Sequence, residues 1–136
     1  MRSGSTLSDV ARVLLVDDNE EMLARSAATL APACEIIGAV KDGPAALQAA
    51  EALHPDVIVL DISMPGMTGL EVASRLCQAG SKAAVVFLTA HREEDFRKAA
   101  LSAGGIGYVL KPRLASDLIT AVLEARAGRH FISPAS

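Results

Sequence analysis

Tryptophan is absent from this chain, and one Tyr and three Phe are its only aromatics, 3% of the residues. Its core must therefore be aliphatic, built from Val, Leu, Ile and Ala. Cysteine is scarce too. Cys34 and Cys77 are too few and too far apart for a zinc site or a disulfide framework, and both are expected to be buried thiols. No apolar run approaches the roughly 20 residues of a membrane span. The Ser/Gly-rich start, Met1 to Ser8, lacks the apolar segment of a signal peptide, so a cytoplasmic chain is expected. Positive charge is not in excess either. A formal net charge of −3 argues against this segment gripping nucleic acid or anionic lipid by itself.

What is present suits one domain with an ample core: 136 residues, 51% of them hydrophobic. The stretch with most information is Asp56 to Gly69, DVIVLDISMPGMTG. Val57, Ile58, Val59 and Leu60 run without polar alternation, which predicts a strand covered on both faces, as in a parallel sheet. The run ends at Asp61, where ligand sites form in open α/β sheets. A plain loop-capping Asp is the competing reading. Met64-Pro65-Gly66 and Thr68-Gly69 then turn the chain.

The same alternation fills the rest. Residues 1–10 read as a flexible tail. Strands are predicted at Arg12–Val16, Cys34–Val40, Ala83–Leu88 and Tyr108–Leu110. Helices are predicted at Glu20–Leu30, Ala45–Leu53, Leu70–Gln78, His91–Ser102 and Ser116–Ala127, with Ser116 as an N-cap of the last. Gly104, Gly105 and Gly107 read as a loose turn, and Gly128 as a stop. A βα unit repeated five times argues for a parallel sheet with helices on both faces, a flavodoxin-like doubly wound fold.

Polar residues stand at four strand ends: Asp17-Asp18, Asp61, Thr89 and Lys111. In a parallel sheet these ends share one edge. Crowded carboxylates repel and raise each other's pKa unless a cation neutralises them. Hard oxygen ligands suit Mg²⁺, and a Lys beside them suits a phosphoryl group. Glu20 and Glu21 fit helix-dipole compensation better than metal ligation. Thr68 and Glu71 read as ordinary cap residues.

Taken together, Asp17-Asp18, the Asp61-to-Gly69 stretch, Thr89-Ala90, Tyr108 and Lys111-Pro112 resemble the receiver domain of bacterial two-component response regulators. The resemblance runs from about Arg12 to Ala127, and it implies strand order 2-1-3-4-5. It implies that Asp61 is the phosphoacceptor for a sensor histidine kinase. It implies Mg²⁺ held by Asp17 or Asp18, Asp61 and the backbone carbonyl of Ser63, with Asp18 the better direct ligand. Lys111 would pair with the phosphoryl oxygens, Thr89 would hydrogen-bond the attached group, and Tyr108 would move inward as Thr89 shifts. A cis bond before Pro112 is usual in the family. Such a domain is a phosphorylation-switched signalling module rather than an enzyme, though it assists its own phosphorylation and dephosphorylation. It can form a homodimer once phosphorylated.

Phosphoryl transfer to a carboxylate fits these residue types on its own terms. It needs a nucleophile in line and cations on the equatorial oxygens. One departure from the family is Ser63, where many receivers carry Asn. Ser63 and His91 each lie two residues beyond a site residue and can turn toward one pocket. Ala125 to Pro134, ARAGRHFISP, resembles the junction to a LuxR/NarL-type helix-turn-helix domain. Residues 128–136 therefore read as the start of a linker, with DNA reached only through an output domain outside this chain. A stand-alone receiver acting by protein contact is the alternative. Three rivals are weaker. A flavodoxin-like ligand module would want a phosphate loop where Asp17-Asp18 stands. An aspartyl-phosphate hydrolase would want a second acid where Ser63 stands. A receiver-like domain that is never phosphorylated would not need the full residue set.

Overall fold

The computed structural model describes residues 10–134; the expected tail, apart from Val10, lies outside them. Six parallel strands form one sheet: β1 Ala11–Val16, β2 Cys34–Val40, β3 Val57–Leu60, β4 Ala84–Thr89, β5 Gly105–Leu110 and β6 Phe131–Ile132. Their order is β2-β1-β3-β4-β5-β6, the expected order with one strand added. The helices are α1 Glu20–Leu30, α2 Gly43–Leu53, α3 Gly69–Gln78, α4 Glu94–Ser102 and α5 Leu114–Arg126. No helix among the described residues is long and apolar enough to cross a membrane.

The sheet has two apolar faces, and alternate strand residues serve them in turn. Val13, Leu15, Val57, Val59 and Val109 pack under α1 and α5 with Leu30, Leu118 and Val122. Leu14, Val16, Ile58, Leu60 and Phe87 pack under α2, α3 and α4 with Ala46, Val72 and Ala100. This is why the strands lack polar alternation. Each fully buried Leu contributes about 1.5–3 kcal/mol against exposure, so the aliphatic core suffices without Trp.

Local signals start the helices. The Asn19 side chain accepts from the Met22 N–H at 3.1 Å and opens α1. The Asp42 carboxylate accepts from the Ala45 N–H at 2.8 Å, with Pro44 in the first turn of α2. Thr68 and Glu71 form a reciprocal capping box on α3, the cap role expected of them. Glu20 and Glu21 occupy the first turn of α1, and Glu20 also pairs with Lys41. The far end of α2 is closed by Arg12, whose guanidinium donates to the carbonyls of Leu53 at 2.9 Å and His54 at 2.8 Å.

Several expectations need correction. Gly105 and Gly107 are strand residues, not a turn. A Cβ on Gly105 would lie 2.5 Å from the Phe87 ring, so glycine there makes room for a bulky neighbour on β4. Helix α4 begins at Glu94, not His91, because His91 is held in the preceding loop by the bonds described below. Helix α5 begins at Leu114. Ser116 is no N-cap; its hydroxyl lies 3.2 Å from the Arg113 carbonyl and 3.1 Å from Asp117. The Lys111–Pro112 bond is trans. Pro112 sits in a 3₁₀ turn, Lys111–Arg113, where its φ is already suitable and its missing N–H is not needed. Cys34 is buried, but Cys77 is exposed. It stands one position round α3 from buried Leu76, on the solvent side.

Candidate functional site

The carboxyl ends of β1, β3, β4 and β5 deliver the site. Register does the placing: the Asp17 N–H bonds the Val40 carbonyl and the Asp61 N–H bonds the Val16 carbonyl, both at 3.1 Å. The sheet ladder thus runs one residue past each strand and fixes both acidic residues as rigidly as strand residues. Asp17 and Asp61 are 4% and 5% exposed, while Asp18 faces solvent. Carboxylate oxygens of all three lie within 4.8 Å of one another.

One cation serves the buried pair. Lys111 Nζ lies 3.1 Å from Asp17 Oδ2 and 3.2 Å from Asp61 Oδ2. Burial pushes the Asp61 carboxyl above its ordinary value; Lys111 opposes that shift and the Asp17 charge adds to it. Burial works against charge on Lys111 as well, but Asp61 and Asp17 outweigh it and hold the ammonium above its usual range. The cluster is therefore short of positive charge, and its hard oxygen donors with one open, solvent-facing member suit a divalent cation such as Mg²⁺.

Behind Asp61 the loop is pinned by Gly69, whose N–H donates to the Ile62 carbonyl at 2.8 Å. A Cβ on Gly69 would stand 2.0 Å from the Asp61 carbonyl oxygen. No side chain fits there without moving the backbone that aims Asp61. From sequence, Gly69 read only as a turn residue; close backbone approach leaves no other local signal.

The β4 end adds a network centred on His91. Thr89 is fully buried, and its hydroxyl accepts the His91 N–H at 3.2 Å. The Tyr108 hydroxyl donates to the His91 carbonyl at 2.9 Å. The ring is already inward, 3% exposed, and burial pushes its hydroxyl pKa up to about 12, with Glu93 adding to the rise. The His91 ring stacks on Phe96 with centroids 3.9 Å apart, and its Nε2 lies 2.6 Å from Ser63 Oγ. Ser63 and His91 thus meet, as their shared spacing suggested.

A third buried carboxylate was not singled out from sequence. Asp117, 6% exposed, pairs with Arg113 Nε at 2.7 Å and accepts from Ser133 Oγ at 2.7 Å. Ser133 lies just beyond β6, in the stretch read as a linker. An Arg-x-x-x-Asp spacing across a helix start was the available signal for half of this cluster; nothing local pointed to Ser133.

Comparison with known proteins decides the family. The response regulator receiver domain model matches residues 13–123. The chain belongs to the response regulator receiver family. The nitrate/nitrite response regulator NarL of Escherichia coli K12 is 37% identical over 128 residues, covering 92% of this chain and 59% of that protein. The transcriptional regulatory protein LiaR of Bacillus subtilis is 35% identical, covering 86% of this chain and 56% of that protein. A LuxR-family two-component response regulator structure from Aurantimonas sp. superposes with a TM-score of 0.87 at 28% identity, covering 92% of this chain and 91% of that one. The receiver is of the LuxR/NarL type, and it spans a little over half the length of these two curated relatives.

Proposed function

We propose that this receiver takes a phosphoryl group from a sensor histidine kinase onto Asp61. The observation that carries this is Lys111 bridging the buried Asp17 and Asp61, with Asp18 beside them. An Asp61 carboxylate oxygen attacks phosphorus; a P–O bond forms while the bond to the donor's imidazole nitrogen breaks, and that nitrogen keeps the electron pair. Asp17, Asp18, Asp61 and the Ser63 carbonyl would hold Mg²⁺, which supplies positive charge for the transferring oxygens. Lys111 supplies more. The raised proton affinity of Asp61 fits a carboxylate that Lys111, shared with Asp17, compensates only in part.

Thr89 then acts as the switch. Its hydroxyl already accepts from His91, leaving its own proton to donate to a phosphoryl oxygen. A hydrogen bond to a charged group contributes roughly 1.5–3 kcal/mol, which shifts a two-state equilibrium about ten-fold or more. Tyr108 and His91 share that network and repack with it. In a longer regulator of the LuxR/NarL type, the switch would control a DNA-binding output domain, and the protein would act in the cytoplasm.

Intact-mass spectrometry after incubation with acetyl phosphate and Mg²⁺ tests the assignment. One added phosphoryl group is expected on the parent and none on Asp61→Asn. An unlabelled parent, or a labelled variant, would overturn it.

A further inference from the structure

The segment after α5 folds back onto β5, the strand that ends at Lys111. Gly107 and Tyr108 pair with Phe131 and Ile132. Ser133 then clamps the segment: its N–H donates to the Tyr108 carbonyl at 2.8 Å and its hydroxyl accepts the Leu110 N–H at 3.3 Å. The same hydroxyl donates to Asp117 Oδ2, which Arg113 also holds. We propose that Phe131–Ser133 is a strap whose grip on β5 is loosened when Asp61 is phosphorylated. This rests on the phosphoacceptor reading above.

Two routes join the strap to the site. Lys111 and Arg113 are the two ends of one 3₁₀ turn. A phosphoryl group on Asp61 draws Lys111 Nζ away from its shared position between two carboxylates. That drags the turn and disturbs the Arg113–Asp117 pair, and with it the acceptor of Ser133. The second route runs along β5. Thr89, His91 and the Tyr108 hydroxyl form one hydrogen-bonded chain, and Tyr108 also carries the carbonyl that holds the Ser133 N–H. Phe131 is the strap's one apolar anchor, partly buried against the core beneath α5. β6 is two residues long, and Ile132 is 39% exposed. Local opening is cheap where few apolar contacts oppose it, so the Ser133 bonds decide whether the strap stays down.

Backbone hydrogen exchange at Ser133, whose N–H donates to the Tyr108 carbonyl, reads this out on the whole chain with acetyl phosphate and Mg²⁺ in excess, while intact mass reports labelling of Asp61. Exchange at this amide is expected to become about five-fold faster or more on labelling, the scale of an ordinary allosteric coupling. In Ser133→Ala it should be fast in both states, with labelling unchanged; Asp117→Asn should fall between. A labelled parent whose exchange is unchanged or slower overturns the strap and leaves the phosphoacceptor assignment standing. So does a Ser133→Ala chain that keeps the parent's response. A parent that takes no phosphoryl group overturns both.

Discussion

Asp61 and Asp117 are buried almost equally, at 5% and 6% exposure, yet their chemistry runs in opposite directions. Asp61 shares a single lysine with Asp17, and burial lifts its pKa above the ordinary value. Asp117 has a guanidinium of its own. Its bonds to Arg113, then to Ser133 and Ser116, hold its pKa below the ordinary value against the effect of burial. The difference lies in the cation: Lys111 is divided between two carboxylates, whereas Arg113 is committed to Asp117. A fully satisfied carboxylate holds elements together. A carboxylate left short of donors remains available to a cation or an electrophile.

The most damaging way to break this contrast is Gly69→Ala. Its Cβ must displace the Asp61 carbonyl, so a loss of about 3 kcal/mol is expected in urea unfolding, with phosphoryl uptake lost as well. A variant as stable as the parent would show that the loop adapts. Next comes Asp117→Ala, which leaves the Ser133 hydroxyl without its acceptor and releases Arg113. It should cost about 1–2 kcal/mol while labelling of Asp61 persists.

Asp61→Asn should act with the opposite sign and raise the metal-free melting temperature by a few degrees. The folded protein binds a proton at Asp61 more tightly than the unfolded chain does. The stability from this group is therefore full below pH 3.8 and is lost as pH rises through the higher folded value. The advantage of Asn should be greatest near neutrality and vanish in acid. Asp117→Asn mirrors it. Its carboxylate stabilises above pH 3.8 and loses that effect as pH falls, so this variant should be the less stable one at neutral pH and converge on the parent in acid. Melts of both variants from pH 7 to 3 check the pair; parallel curves would refute the contrast.

The smallest effect concerns how long the phosphoryl group survives beside Asp61. Ser63 Oγ and His91 Nε2 are in hydrogen-bond contact, so they should govern the approach of water together. Dephosphorylation rates of Ser63→Asn, His91→Ala and the double variant should show a coupling of about 0.5 kcal/mol or more. Additive changes would separate the two residues.

Much of this molecule could be read before any coordinates. Cys34–Val40 and Val57–Leu60 are strands at the expected bounds, because a strand buried on both faces must be apolar throughout. Glu20–Leu30 is a helix at its expected bounds, with the acidic first turn as its local signal. The convergence of Asp17, Asp18, Asp61 and Lys111 followed from topology, since parallel strands put their carboxyl ends on one edge. Errors gathered where a local signal was overruled. Gly105 and Gly107 looked like a turn, but what matters there is the bulk of Phe87 and Val86 on the next strand. His91 looked like a helix start, but its backbone is committed to Thr89 and Tyr108.

The βα alternation, the aliphatic two-faced sheet and the identity of the acidic edge are written in the chain itself. These depend on periodicity and on residue types next to one another in the chain. It is the folded neighbourhood that keeps Gly69 bare against the Asp61 carbonyl, gives Asp117 a guanidinium to itself while Lys111 is divided between Asp61 and Asp17, and lays Phe131–Ser133 down on β5. Each of those depends on atoms far apart in sequence, such as Arg113 and Asp117 against Ser133. A contact of that kind leaves no period and no local motif, because burial and hydrogen-bond partners are properties of the folded neighbourhood.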